Sequence, residues 1–416
     1  MSWDLNQRSQ PASVLSPHTW PFRLSWLPEE TYLVGGNVRD ALLDRQAGYL
    51  DLDFVMPDRA VQTARAIARH HRAGFVLLDA DRQIARVVFE NATVDFAQQV
   101  GSTLEADLER RDFTVNAIAY SPFTEQLYDP LYGYRDLQRQ QIRMVAIDNL
   151  KEDPLRLLRA YRQSAQLGFA LEPKTQAAIR QLAGLLKFVA AERVQSELNY
   201  LLGSAKGTPF LQAAWQDGLL QAWLPHADGD RLAEIARIDR AAVDLQSRPD
   251  LLEPTKGRNW LKIAKLSRLV APNAELAESE LWRLKYSRVE VQAVVLTLKS
   301  LAPLQALMPS APAAQQYFFF QSAGAVFPAV VLLALANGLS LELIAPLINR
   351  YLTPDDPICH PRSLVTGRDL MVALQLAAGP RIGQLLQEIR IAQAEGKITS
   401  QAEAIDWARS IAAAES

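Results

Sequence analysis

Apolar and polar residues follow one spacing in the first third of the chain and another in the rest. From residue 31 to about Tyr120, short β-branched and aromatic runs alternate with helical spacing. Residues 31–34, 50–56, 75–78, 84–90 and 93–96 read as strands, and 37–43 and 61–71 as helices. The first strand ends in Gly35-Gly36 and passes straight into the first helix, a strand, tight turn and helix in succession. Beyond about Leu150 the strand signals vanish, and Leu, Ala, Arg and Gln recur at helical spacing to the end of the chain. Polar, proline-containing breaks at 246–254 and 353–362 suggest sub-domain boundaries. Residues 1–30 carry Pro11, Pro17, Pro21 and Pro28 and no sustained period, so a loose extension is predicted there. The stripe Tyr317-Phe-Phe-Phe reads as core.

Composition narrows the class. With 416 residues, 49% hydrophobic and 22% charged, the chain is a folded protein of two to four domains rather than a disordered or fibrous one. A net charge of −2 excludes a generic polyanion binder, so any nucleic-acid site must be a local basic patch. Cys359 is the sole cysteine, which excludes an intrachain disulfide and a cysteine-based zinc site. The apolar run 323–336 contains Pro328 and is shorter than the about 20 residues needed to span a bilayer, so it reads as a buried helix and no membrane association is expected. The N-terminus lacks a basic region followed by an apolar stretch, and a cytoplasmic location is expected.

Candidate chemistry begins with Asp51 and Asp53, which flank Leu52 in an apolar strand. Strand side chains alternate, so the two carboxylates share a face. Ionised together they repel, and a divalent cation relieves that; hard oxygen ligands suit Mg²⁺, which takes substrate phosphates as further ligands. An isolated pair of this kind is more often a solvated strand end. Here Gly35-Gly36 lies about 15 residues upstream at a strand-to-helix junction, where backbone N–H groups suit phosphate. Arg39 follows in the first turn. A dinucleotide fold is rejected because the G-x-G-x-x-G spacing is missing. Asp95, in the strand around 93–96, is either a third acid that helps deprotonate an attacking hydroxyl or an edge-strand acid facing solvent.

Two arginine-rich segments follow. Arg110, Arg111 and Asp112 precede a stretch that reads as buried, where an arginine needs a fixed anionic partner. Asp153 is a good helix cap and Pro154 suits a first helical position. Arg156, Arg159 and Arg162 then recur every three residues along one side of that helix. This is either a capped helix with a solvated basic face, or a surface on which Asp153 and Arg156 read the hydrogen-bonding edge of a base while Arg159 and Arg162 face phosphates.

Together these residues resemble the class II tRNA nucleotidyltransferase and bacterial poly(A) polymerase family of the polymerase β superfamily. The matching stretches are Leu33-Val-Gly-Gly-Asn-Val-Arg-Asp-Ala-Leu-Leu, Asp51-Leu-Asp, Arg110-Arg-Asp-Phe-Thr-Val-Asn-Ala, Asp129-Pro-x-x-Gly with Asp136-Leu, and Glu152-Asp-Pro-Leu-Arg-Leu-Leu-Arg. The tail is similar at Leu364-Val-Thr-Gly-Arg-Asp-Leu-Met and Gly379-Pro-Arg-Ile-Gly-Gln-Leu-Leu. The resemblance implies an α+β nucleotidyltransferase head (a mixed sheet with helices) over 31–149, then an all-α neck over 150–215, body over 216–360 and tail over 361–416. It implies that Asp51 and Asp53 hold Mg²⁺ and that Gly35, Gly36 and Arg39 contact the triphosphate. Arg111 would touch the nucleotide and Asp112 would lie near the ribose. Asp153 and Arg156 would select the base, and Arg159 and Arg162 would steady the nucleotide.

The implied reaction is template-independent transfer of CMP, and in other members AMP, from CTP or ATP to the 3′-hydroxyl of tRNA. The partners are the tRNA 3′ end and acceptor stem. In full CCA-adding members a flexible loop precedes the Arg-Arg-Asp motif; here only residues 96–106 separate Asp95 from Asp107, which favours the CC-adding branch. A full CCA-adding enzyme, an A-adding enzyme, a poly(A) polymerase and a non-catalytic RNA-binding protein are the alternatives. Finally, residues 256–268 carry Lys256, Arg258, Lys262, Lys265 and Arg268 with no acid, either a phosphate-binding strip or a solvated helix face.

Overall fold

The computed structural model describes residues 14–45, 48–254, 258–307 and 311–414. They form two compact units, one of Met1–Val189 with Gln216–Leu219 and one of Ala190–Trp215 with Leu220–Ser416.

In the first unit the chain runs β1 (Tyr32–Val34), α1 (Gly36–Leu42), β2 (Leu50–Met56), α2 (Ala60–His71), β3 (Gly74–Asp79), β4 (Ile84–Val88), β5 (Ala92–Gln98) and α3 (Leu104–Glu109). It continues through β6 (Ala119–Ser121), β7 (Gln126–Tyr128), α4 (Gly133–Gln138), β8 (Gln141–Ile142), α5 (Ile147–Glu152), α6 (Leu155–Leu167), β9 (Ala170–Leu171) and α7 (Pro173–Leu182). Seven strands make one mixed sheet in the order β3-β4-β5-β2-β1-β6-β7, with β2 and β5 parallel. Along β2 the residues alternate as the sequence requires. Leu52, Phe54 and Met56 are buried on one face, with Phe54 stacked on Phe96. Asp51 and Asp53 point to the other.

The N-terminal stretch differs from the expectation of a loose extension. From Val14 onward it packs on the back of the sheet, with Trp20, Phe22 and Leu27 buried and Trp20 edge-on to Phe54 at 4.9 Å between ring centroids. Its prolines break periodicity without preventing burial, because apolar contact needs no regular element. Residues 1–13 lie outside the described residues.

The division between the units falls at Val189, so α6 and α7 belong to the same compact unit as the sheet. Buried polar bonds account for this. Asp217 accepts hydrogen bonds from Tyr161 on α6 and from Gln176 (2.7 Å) and Arg180 (2.5 Å) on α7. Burial raises the Asp217 carboxyl, but these donors hold it below its ordinary range. Arg45 donates to the carbonyls of Gln166 (3.1 Å) and Leu167 (3.0 Å) at the C-terminal end of α6, where a cation is favoured.

The second unit is helical throughout its described residues: α8 (Ala191–Leu202), α9 (Thr208–Gln216), α10 (Gly229–Asp244), α11 (Pro249–Leu252), α12 (Trp260–Leu269), α13 (Ala274–Arg283), α14 (Arg288–Ala306), α15 (Ala313–Ala323), α16 (Phe327–Ala336), α17 (Leu341–Leu352), α18 (Gly367–Leu374), α19 (Pro380–Ala394) and α20 (Gln401–Ala414). Helices α10, α12, α14 and α16 pack on one another. Every residue of α16 except Leu335 is buried. The stretch Ala313–Ala336 is long and apolar enough to cross a membrane by length and composition alone, but 67% of its most apolar window is buried inside the fold. A 3-10 turn at Gly324–Val326, entered through Gly324 at φ +50°, interrupts it. Tyr317, Phe319 and Phe320 are core as expected, while Phe318 is exposed. Helices α18–α20 close their own small core around Leu370, Leu385 and Ile389.

The basic strip expected over 256–268 is corrected by this packing. Lys265 is fully buried, with Nζ 2.6 Å from Asp239 and donating to Ser204 O (2.8 Å) and Thr208 Oγ1 (2.9 Å). Lys262 pairs with Glu290 at 2.6 Å and Arg268 with Glu234 at 3.0 Å. The acids come from other helices, so the segment's own charge count overstated its free charge. Arg258 lies over the Trp260 ring at 5.8 Å, and Lys256 lies outside the described residues.

Replacing Trp20 by alanine should destabilise the first unit by about 3–5 kcal/mol, the usual loss for a buried tryptophan. Urea unfolding of the variant beside the wild type measures it; a loss below about 1 kcal/mol would mean that the N-terminal stretch is not packed as described.

Candidate active site

The site is assembled on the open face of the sheet. Strand pairing sets Asp53 opposite Asp95 and Asp51 opposite Thr93 across β2 and β5, so the four side chains share a face. Thr93 donates its hydroxyl to Asp51. Asp95 pairs on its other side with Arg86 of β4, which grips both carboxylate oxygens at 2.7 and 2.8 Å. Asp95 is therefore on an interior strand, and the edge-strand alternative is corrected.

On the β1 side, Gly35 joins strand to helix at φ +75°, ψ −137°, a conformation that favours glycine. A Cβ there would stand 3.5 Å from Nη1 of Arg111 and 3.7 Å from Oδ2 of Asp53, so the turn, the arginine and the acid converge on one point. Gly36 begins α1 and lies beside the Arg39 guanidinium.

Charge crowding dominates the chemistry. Burial, then Asp95, then Asp51 raise the Asp53 carboxyl from 3.8 to about 7, while Arg111 and Arg86 oppose the rise. Two acids carry capacity for a hard cation here: Asp53, and Asp51 at the exposed end of the row. No group of three or more His, Cys, Asp or Glu side chains is arranged around a metal position among the described residues.

The anionic partner required by Arg110 and Arg111 is Asp107. This fully buried acid binds Arg110 at 2.8 Å and Arg111 at 3.0 Å and accepts the Val100 N–H at 3.1 Å. Burial pushes its carboxyl up, yet Arg111 and Arg110 hold it below the usual carboxylate range. Arg111 Nε stays buried without a hydrogen-bond partner.

A second network ties α1 to α6. Arg39 grips Asp40 through Nε and Nη2, both at 2.9 Å, and donates from Nη1 to Asn116 at 2.7 Å. Asn116 donates to Asp112 (2.9 Å) and Gln163 (3.0 Å), and Asp112 pairs with Arg159 at 2.9 Å. Arg156 donates to the carbonyls of Arg110 (2.9 Å) and Asn149 (3.0 Å). Asp153 accepts weakly from Leu155 N at 3.3 Å, and Arg162 donates to Gln166 at 2.5 Å. The Asp129-Pro-x-x-Gly motif is architectural. Asp129 accepts the N–H groups of Gly133 (2.7 Å) and Tyr134 (2.9 Å). A Cβ at Gly133 would fall 2.1 Å from the Thr114 carbonyl oxygen.

Sequence reading missed Asp107, Arg86, Asn116 and Gln163. Asp107 was within reach, since it precedes Arg110 and Arg111 by three and four residues, the spacing of one helix face.

An acid raised in this way has a stability signature. The folded chain keeps a proton on Asp53 that the unfolded chain releases, so stability falls as pH rises from about 4 to about 7 and stays reduced above. Asp53→Asn should therefore raise the Tm of the metal-free protein at pH 8, by roughly 2–4 °C per kcal/mol relieved, and much less at pH 5. Calorimetry at both pH values checks this; a gain independent of pH would contradict a crowded acid row.

Comparison with known proteins agrees with this geometry. Residues 31–143 match the family model of the poly(A) polymerase head domain, 168–230 that of the RNA- and SrmB-binding region of polymerase A, and 258–408 that of tRNA nucleotidyltransferase domain 2. A Synechocystis protein named CC-adding tRNA nucleotidyltransferase is 50% identical over 94% of this chain and 96% of its own length. A Deinococcus radiodurans A-adding tRNA nucleotidyltransferase is 33% identical over 91% of this chain and 94% of its own. The Bacillus stearothermophilus CCA-adding enzyme, solved in complex with CTP, superposes with a TM-score of 0.70 at 26% identity, covering 92% of this chain and 94% of that one. With family models matched over most of its length and relatives 50% and 33% identical over nearly all of it, this chain belongs to the tRNA nucleotidyltransferase and poly(A) polymerase family of enzymes.

Proposed function

We propose that the chain is a CC-adding tRNA nucleotidyltransferase, transferring CMP from CTP to the 3′-hydroxyl of tRNA with Mg²⁺ as cofactor. The metal reading rests on Asp53. A half-buried carboxyl lifted to about 7 by desolvation and then by its acidic neighbours is a site that a divalent cation neutralises. Asp51 and Asp53 would hold it, with substrate phosphates and water completing its shell. Held by these residues, the cation would supply acidification of the attacking hydroxyl and charge neutralisation at the transferring phosphoryl group.

The protein's own groups supply position and charge. The buried, unpartnered Nε of Arg111 and the side-chain-free turn at Gly35 suit a triphosphate oxygen, with Gly36 and Arg39 beside it. Asp107 holds the Arg111 guanidinium in place, so the phosphate contact is organised before substrate arrives. On α6, Asp153 and Arg156 would read the edge of the incoming base. Arg156 is anchored by two backbone carbonyls, which fixes its guanidinium rather than leaving it to search. Arg159, held by Asp112, and Arg162 lie on the same helix and would steady the nucleotide.

The subtype reading rests on one observation, the connection between β5 and α3. Only residues 99–103 join them, and the Val100 N–H is bonded to buried Asp107. A segment this short and this tethered has no length to swing over the site and remake it for a second base. The 50% identical relative carries the CC-adding name, which supports the reading, and the A-adding relative supplies the competing one.

A tRNA transcript ending at the discriminator base, incubated with each nucleoside triphosphate separately and together, tests the proposal. We expect two cytidines from CTP and no adenosine even with ATP present. Complete CCA ends would sink the subtype, and ATP incorporation repeated along any RNA would favour a poly(A) polymerase. Asp51→Ala and Asp53→Ala should each lower incorporation by about 10³-fold or more, the loss expected when charge stabilisation at the phosphoryl group is removed.

A further inference from the structure

The acid row does not stop at Asp95. Pairing carries it across β4 to Arg86 and on to Val76 of β3, while the next row runs Asp51, Thr93, Val88 and Gly74. All these side chains share the face that bears the carboxylates. On β4 and β5 burial follows the same alternation, while on the edge strand β3 Val76, Leu77 and Leu78 are all exposed. On the opposite face Ala85, Val87, Val94 and Phe96 are buried, whereas Val76 is 46% and Val88 39% exposed. Over β2 and β1 the open face is instead covered, by Leu104 and Leu108 of α3 packed on Val34 and Val55. The sheet thus presents a bare aliphatic shelf beside its acids, on the side away from Gly35 and Arg111.

We infer that this shelf of Val76, Val88 and Thr93 seats the terminal nucleoside of the acceptor RNA. The inference rests on the nucleotidyltransferase reading above. Phosphoryl transfer keeps the attacking and leaving oxygens roughly in line. With the triphosphate on the Gly35 and Arg111 side of Asp53, the attacking hydroxyl must approach over β5 and β4, where the shelf begins. The surface has the chemistry of a base and sugar rather than of a phosphate. The cation within the paired rows, Arg86, is bound through two nitrogens to Asp95, so its charge is already matched there. Aliphatic side chains and a hydroxyl accept the flat face of any base without reading its edge. That suits an enzyme whose acceptor changes its last base after each addition. Gly74 opposite Val88 adds no side chain to crowd it.

Cysteine protection tests this directly. Cys359 is the only cysteine and is buried, so Val88→Cys and Val76→Cys each offer one reactive thiol on the shelf. Leu77→Cys offers one at an exposed position on the opposite face. A tRNA transcript ending at the discriminator base, added without nucleoside triphosphate, should slow maleimide labelling at 88 and 76 about tenfold and change it less than about twofold at 77. In steady state Val88→Ser should raise the KM for this RNA by about fivefold, from weakened apolar contact, and leave the KM for CTP unchanged. Unprotected thiols with RNA bound by gel shift would overturn the inference and leave the enzyme assignment standing. Protection that grows with protein concentration in the absence of RNA would also overturn it, making the shelf a contact between copies. Wild-type protein that neither binds the transcript nor incorporates nucleotide would overturn both.

Discussion

Like charge held close together is the constraint around which the first unit is built. Parallel pairing of β2 with β5 forces Asp53 beside Asp95, and alternation along β2 forces Asp51 onto the same face. Three carboxylates in that space would expel one another unless cations were fixed on either side. Arg86 stands at one end with its fork on Asp95, and Arg111 at the other with its charge held by Asp107. Each arginine is tied to a different acid from the one it stabilises at a distance. Asp53 has no ion-pair partner of its own, and burial together with Asp95 and Asp51 raises its carboxyl.

The surrounding network makes this arrangement rigid. Asn116 sits at its centre, taking a hydrogen bond from Arg39 and giving its own to Asp112 and Gln163. A buried amide satisfied on three sides cannot rotate without orphaning a partner, which costs about 1–3 kcal/mol per group. The helix α6, with Arg156 and Arg159, is thereby fixed relative to α1 and the glycine turn within one unit. Residues expected to contact substrate are at the same time structural partners of one another. A loss of activity on mutating Arg39 or Asp112 alone would therefore not identify a substrate contact.

The second unit shows the opposite use of charge. Lys262, Lys265 and Arg268 form an acid-free basic run in sequence, yet each is paired with an acid from another helix. Lys265 is wholly buried and its three donors are matched by Asp239, Ser204 and Thr208. A segment's own charge says little about its surface when helices pack side by side, because compensation comes from neighbours distant in sequence.

The sequence by itself determined β1 to β5 with α1 and α2, the shared face of Asp51 and Asp53, the glycine turn, and the helical character of the remainder. These follow from local period and from residue types with few alternatives, such as Gly35 at positive φ. The connection from β5 to α3 was legible as a simple count of residues. Tertiary structure alone decided what each charge faces. Arg86 meets Asp95 only once β4 and β5 pair in a particular register, and Lys265 meets Asp239 only once α10 and α12 pack. Burial of the N-terminal stretch on Phe54 and Phe96 left no period to read, because irregular chain packs through single aromatic side chains. Local pattern fixes which face a side chain takes, whereas the partner on that face belongs to a distant segment and is set by the packing of the whole.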